Sequence, residues 1–229
     1  MSQRITYEDV IRIPDGGLVL PDRPSAVIPS SMRDRISCVL IPEECIRERT
    51  SVLARQICED YADAGELNLV VILKGALVFA SDLGREIYGH NGPEVKYHCI
   101  RSHAYGKQIK ESGEINREVR IELIPSGIKA KDVIVLEDIV DQGLTLSRIK
   151  QCLIEQGVSS LRICTLLDKR LEKPSEEAKR SRSGLILDYV GFEISDKWVA
   201  GYGIDAGEDF RHLPFIVAVR EDYYVSKSQ

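Results

Sequence analysis

Two short runs constrain this chain more than anything else in it. Leu69-Val70-Val71-Ile72-Leu73 and Val133-Ile134-Val135-Leu136 are continuously apolar and of strand length. A strand with one solvated face alternates; a strand without alternation must be covered on both faces, as in a parallel sheet between helices. The segments between the runs fit that arrangement. Phe79, Leu83 and Ile87 recur at helical spacing up to Gly89, and Leu146, Ile149 and Leu153 do so up to Gly157. Further strands are predicted at Val95–Ile100, Val119–Ile124 and Leu161–Leu167. A helix is predicted from Pro42, with Ile46, Thr50, Leu53, Ile57 and Tyr61 on one face and Gly65 as its C-terminal cap. Strand and helix alternating in this way is the pattern of a doubly wound α/β sheet, whose ligands bind at the C-terminal strand edge.

The flanks read differently. Residues 1–40 are rich in proline and turn signals and are predicted to be an irregular arm packing with a cap. The α/β core is predicted over 41–183, with Lys173–Ser183 a polar connector. Residues 184–229 carry strand patterns without matching helices (Gly184–Phe192, Trp198–Ile204 and Phe215–Val219) and are predicted to form a small cap.

Composition narrows the class. With 43% hydrophobic and 29% charged residues over 229 positions, the chain is neither disordered nor membrane-embedded in character. Its net charge of −5 offers no global field for nucleic acid, so a phosphate ligand must be held locally. No apolar run reaches the ~18 residues of a membrane span, and no signal peptide or Asn-x-Ser/Thr site is visible; a cytoplasmic protein is expected. The six cysteines are scattered and expected to be buried free thiols, and the four histidines lack zinc spacing.

Chemistry concentrates in the segment from Val133 to Thr145. A buried strand runs into Glu137 and Asp138; Asp141, Gly143 and Thr145 follow. Carboxylates at the ligand edge accept hydrogen bonds from a ribose diol or orient a hydrated magnesium ion. Gly143 permits a tight, anion-facing turn, and the first N–H groups of the helix with the Thr145 hydroxyl form a phosphate cradle. The plain alternative is a strand–turn–helix with Asp141 as an ordinary N-cap. Two adjacent carboxylates repel one another, however, unless a ligand or cation uses them.

This segment resembles the phosphoribosyl-diphosphate (PRPP) motif of the type I phosphoribosyltransferases, with Leu144 where relatives often carry a polar residue. Leu73-Lys74-Gly75 resembles the diphosphate loop of the 6-oxopurine (hypoxanthine-guanine) branch, in which the Lys-Gly peptide is expected to be cis. Leu166–Arg170 and Asp188–Asp205, then Phe210-Arg211, resemble that branch's purine-binding segments. The resemblance covers roughly residues 40–220. It implies the type I fold, a central parallel sheet with a small hood, and purine salvage: transfer of phosphoribose from PRPP to hypoxanthine or guanine, with xanthine open.

Residue by residue, the resemblance implies Asp141 as the proton acceptor for purine N7, with Glu137 and Asp138 on the ribose hydroxyls. Asp141, Gln142, Gly143, Leu144 and Thr145 would surround the 5′-phosphate. Lys74, Gly75, Ser102, His103 and Arg211 would meet diphosphate. Ile139, Lys169, Trp198, Val199 and Asp205 would line the purine site, and Asp205, Glu137 and Asp138 would serve Mg²⁺. Lys169 donates to O6, which an adenine amino group does not accept. The polar stretch from Arg101 to Asn116 is predicted to be a mobile lid. The family's Ser-Tyr pair aligns with Ser102-His103, so either His103 or Tyr105 takes the tyrosine's place. Relatives imply a homodimer or homotetramer. The alternative is a non-catalytic PRPP-binding regulator of the same fold, although the chain has no spare nucleic-acid-binding domain and keeps an acid at position 141; a transferase for another acceptor is disfavoured by the set Lys169, Trp198 and Asp205. The glycines Gly201, Gly203 and Gly207 mimic a dinucleotide motif, but too little chain follows for its βαβ unit.

Overall fold

A computed structural model describes residues 10–18, 27–109 and 115–223. In chain order the elements are β1 (Ile11–Arg12), β2 (Ile36–Ile41), α1 (Glu43–Asp60), β3 (Glu66–Leu73), α2 (Leu77–Gly89), β4 (Glu94–Ile109), β5 (Ile115–Glu122), β6 (Asp132–Val140), α3 (Leu144–Glu155), β7 (Ser160–Lys169), α4 (Glu176–Ser183), β8 (Tyr189–Ile194), β9 (Val199–Ala200) and β10 (Ile216–Val219).

The two apolar runs lie side by side as β3 and β6 at the middle of a seven-stranded sheet, ordered β1-β8-β7-β6-β3-β4-β5. Every pairing is parallel except β4 with β5. Alternate residues explain the continuous apolarity. Leu67, Leu69 and Val71 pack with Phe79, Leu83 and Ile87 of α2 in one core. Val70 and Ile72 pack with Leu146, Ile149 and Leu153 of α3 in another. From the β3–β6 junction the chain winds outward to β4 on one side and to β7 and β8 on the other. That reversal opens a crevice at the C-terminal strand edge. A second sheet, β2-β10-β9, is antiparallel and forms the cap.

Several local expectations change. Tyr189–Ile194, read as part of the cap, joins the large sheet as β8; all six of its residues are buried, as an inner strand requires. The N-terminal arm is shared between sheets, because β1 extends the large sheet beside β8 while β2 pairs with β10. Beyond the reach of the two-residue β1, buried Arg49 of α1 donates to the carbonyls of Val190 and Gly191 at 2.7 and 2.8 Å. The polar connector contains a helix, α4, with a complete start signal: the Ser175 hydroxyl accepts from Ala178 N–H at 3.1 Å, and Glu176 and Glu177 lie in the first turn. α1 stops at Asp60, so Gly65 leads into β3 rather than capping the helix. Cys99 is exposed, whereas Cys164 is buried; all six cysteines are free.

The predicted lid is a β-ribbon. β4 loses its β3 partner after Arg101, and from Ser102 onward it pairs only with β5. The ribbon therefore projects past the edge where the β3 loop begins. Residues 110–114 at its turn, and the side chains of residues 102–120, lie outside the described ones, among them Ser102, His103 and Tyr105.

Candidate active site

The β6–α3 turn is built as its residues suggest. Glu137, Asp138 and Ile139 are half-buried where β6 leaves the core. Gly143 then takes φ +76°, and α3 begins on it without a side-chain cap. The first N–H groups of α3 therefore face the loop with no capping side chain, which suits an anion. Asp141 is not the helix cap. Its Oδ2 accepts from Lys169 Nζ at 3.4 Å.

Glu137 and Asp138 sit in an electrostatically expensive place. Glu137 Oε2 is buried and accepts no hydrogen bond among the described residues. Burial, then the Asp138 charge, pushes the Glu137 carboxyl well above its ordinary range; burial also raises Asp138. Asp138 Oδ1 accepts from the Ile139 N–H at 3.0 Å. Its other oxygen lies against Gly75, where an added Cβ would stand 1.7 Å from Oδ2. Gly203 in turn presses on Gly75, with 2.3 Å between an added Cβ and the Gly75 carbonyl oxygen. Glycine at both positions lets the β3 loop, the end of β6 and the cap meet. The cis peptide in the β3 loop is Leu73–Lys74, one bond earlier than expected.

Two cations stand beside this contact. Arg211 Nη1 donates to the Gly203 carbonyl at 2.8 Å, and Nη2 pairs with Asp205 Oδ1 at 2.7 Å. Lys74 Nζ reaches Glu208 Oε2 at 2.7 Å, and Glu208 Oε1 also accepts from Arg211 Nη2 at 3.0 Å. The Lys74 ammonium, then Arg211, hold the Glu208 carboxyl below its usual range.

On the far side of Asp141, Lys169 ends β7 with its side chain only 5% exposed. Its Nζ lies 5.0 Å from the Trp198 ring centroid and 4.0 Å from Asp196 Oδ1. Trp198 is 39% exposed, too open for a core residue. Val199 beside it is buried in β9, and Ile139 packs at the core margin.

Arg182, on α4, is the residue that sequence reasoning missed. Its Nη1 donates to the carbonyls of Val140 and Asp141 at 3.1 and 2.9 Å. Its Nη2 donates to the Lys169 carbonyl at 3.2 Å and pairs with the buried Asp168 carboxylate. One planar guanidinium thus ties the Asp141 loop to the Lys169 strand end, a geometry that a lysine cannot reproduce. The helix signal at Ser175 was readable; the reach of Arg182 was not. Asp196 was likewise unsignalled.

Asp141, Lys169 and Trp198 therefore face one space beside the open start of α3, with Glu137 and Asp138 at its floor. Lys74, Gly75, Asp205 and Arg211 join on the cap side. Among the described residues, no three His, Cys, Asp or Glu side chains form a ready metal cage.

Comparison with known proteins gives the same picture. Residues 48–206 match the model of the phosphoribosyl transferase domain. Hypoxanthine phosphoribosyltransferase of Escherichia coli K12 is 38% identical over 179 residues, covering 78% of this chain and 92% of that protein. Hypoxanthine-guanine phosphoribosyltransferase of Dictyostelium discoideum is 37% identical, covering 81% and 97%. A crystal structure of a hypoxanthine-guanine phosphoribosyltransferase from Bacillus anthracis superposes with a TM-score of 0.64 at 37% identity, covering 81% of this chain and 99% of that one. A hypoxanthine phosphoribosyltransferase of Trypanosoma cruzi superposes with a TM-score of 0.70 at 30% identity, covering 85% and 97%. With the motif, the sheet order and these likenesses in agreement, the chain belongs to the phosphoribosyltransferase family, in its hypoxanthine-guanine branch.

Proposed function

We propose that this enzyme transfers the 5-phosphoribosyl group of PRPP to N9 of hypoxanthine or guanine, releasing diphosphate. The observation that carries this reading is the pairing of Asp141 with Lys169 beside Trp198 and the open N-terminus of α3. A proton acceptor and a buried cationic donor then address neighbouring positions, N7 and O6, on one edge of one flat base. The 5′-phosphate takes the α3 cradle of residues 141–145. The ribose hydroxyls donate to Glu137 and Asp138, supplying the partner that Glu137 Oε2 lacks. Trp198 stacks on the purine, Lys169 donates to O6, and Asp141 turns from Lys169 to accept the proton at N7. Ile139, Val199 and Asp205 complete the purine site. Lys74, Gly75 and Arg211 address the leaving diphosphate, and the ribbon carrying Ser102 and His103 closes over it.

Glu137, Asp138 and Asp205 are hard oxygen donors suited to Mg²⁺. One or two carboxylates with substrate phosphate oxygens and waters suffice for that ion. When bound, Mg²⁺ neutralises charge on the leaving diphosphate. The reading includes a cytoplasmic homodimer or homotetramer; among the described residues, no helix is long and apolar enough to cross a membrane. The test is a four-base assay with hypoxanthine, guanine, xanthine and adenine, PRPP and Mg²⁺. Nucleotide and diphosphate should form with hypoxanthine or guanine and not with adenine. Equal use of adenine, or no diphosphate release with any base, refutes the reading.

A further inference from the structure

The two cations assigned to diphosphate are already bridged from within the protein. Lys74 follows β3, and Arg211 belongs to the cap; 134 residues separate Lys74 from a carboxylate that touches both. That carboxylate, Glu208, gives one oxygen to Lys74 Nζ at 2.7 Å and the other to Arg211 Nη2 at 3.0 Å. Its placement is set by the backbone. Glu208 has φ +71°, an unusual conformation for a residue with a side chain, and its N–H donates to Asp205 Oδ2 at 2.8 Å. The turn thereby aims the side chain back at the cations. As a stabilising ion pair the arrangement is weak, since the Glu208 side chain is 66% exposed and Lys74 56%. Its exposure has another consequence: a side-chain rotation suffices to release both cations without moving the core.

We propose that Glu208 is a built-in counter-anion of the diphosphate subsite, holding Lys74 and Arg211 in place while the site is empty and competing with diphosphate for them. The proposal rests on the reading of the site given above and goes beyond it. Without Glu208, Lys74 would face a multiply charged product unshielded and Arg211 would keep only Asp205 as its counter-charge, so the product would be held more tightly; product release limits many enzymes. A tethered carboxylate lowers the net gain from diphosphate binding, because the ligand must displace it. It also returns to the cations as diphosphate leaves.

The experiment is calorimetric titration of the full chain with inorganic diphosphate in the presence of Mg²⁺. Glu208→Gln keeps the size and one acceptor oxygen and removes the charge. It should bind diphosphate roughly 3- to 10-fold more tightly, a range within what its two exposed ion pairs contribute together. The gain should shrink as salt is raised, because exposed charges are screened. KM for PRPP should fall in the same direction. Glu221→Gln, which removes the same charge from an exposed position outside this cluster, should leave diphosphate affinity within about twofold of wild type. Unchanged or weaker diphosphate binding in Glu208→Gln overturns the proposal; weaker binding would mean that Glu208 only positions the cations. Lys74→Met and Arg211→Gln separate this from the underlying site. If wild type binds diphosphate and both of these variants lose it, the site stands and the outcome with Glu208→Gln decides the proposal alone. If wild type binds no diphosphate, the site assignment falls and the proposal with it.

Discussion

Replacing Lys169 by methionine tests how the base is chosen. The substitution keeps an unbranched apolar stem against Trp198, where a thioether still packs well on the ring. It deletes a donor that is 5% exposed and so works in a largely dry site. Charge-assisted hydrogen bonds of this kind contribute about 1.5–3 kcal/mol, and ~1.4 kcal/mol is tenfold. The expected loss in kcat/KM for hypoxanthine and guanine is therefore roughly 10- to 150-fold. A second effect runs alongside, because Asp141 loses the ammonium at 3.4 Å. The Asp141 side chain is 41% exposed, so solvent screening keeps that contribution below about 1 kcal/mol. The backbone of Lys169 stays in place through Arg182, which holds its carbonyl. PRPP affinity should change less than about threefold, since the phosphate cradle belongs to the β6–α3 turn. Adenine should not become a substrate, because removing a donor creates no acceptor. The assay is steady-state kinetics with the three bases at saturating PRPP, together with direct PRPP titration. Equal loss of PRPP binding and purine use would show Lys169 supporting the fold or the phosphate site, and would refute the assignment.

Asp141→Asn keeps the shape and removes the proton acceptor; single-turnover chemistry should slow by on the order of 10²-fold or more with PRPP binding retained, and an unchanged rate would return Asp141 to a structural role. Glu137→Gln should raise the melting temperature of the ligand-free protein at neutral pH while weakening PRPP binding. The folded state holds the Glu137 proton more tightly than the unfolded chain does, so this group's contribution to stability falls as pH rises above about 4.5 toward its raised folded value. Melting curves across pH should be flatter in the variant than in wild type; a lower melting temperature at neutral pH would contradict the burial argument. Arg182→Lys keeps the charge facing Asp168 and loses the fork, so it should raise KM for PRPP and for the purine together, by on the order of 10-fold, and a change confined to one substrate would mean that the two loops are not coupled through this residue. Turnover should vanish in excess chelator, measured as diphosphate release, and full turnover there would exclude a divalent cation from the reaction.

The sheet and the phosphate turn were legible because each is a local pattern. A strand buried on both faces has to be apolar at successive residues, so β3 and β6 announce themselves in a few letters. The β6–α3 turn is also local: the strand end, Glu137, Asp138, the left-handed Gly143 and the open helix start follow one another along the chain. The helix α4 carries its own local start signal at Ser175, whose hydroxyl accepts from the Ala178 N–H. Other features have no local signature. Whether Tyr189–Ile194 entered the cap or the large sheet depended on which partner edge it met, and the arm's division between two sheets depended on the same choice. Arg182 reaches the Asp141 carbonyl across 41 residues and the Lys169 carbonyl across 13. Lys74 and Glu208 meet only because Gly75 and Gly203 let the β3 loop and the cap come into contact. Contacts of that kind are set by how elements pack in three dimensions, and the identity of an arginine or a glutamate does not say which distant backbone it will face. The amino-acid sequence alone therefore determined the centre of the sheet, the phosphate turn and the family; the tertiary structure decided the outer strands β8 and β1 and the ties that hold the base side and the diphosphate side in register.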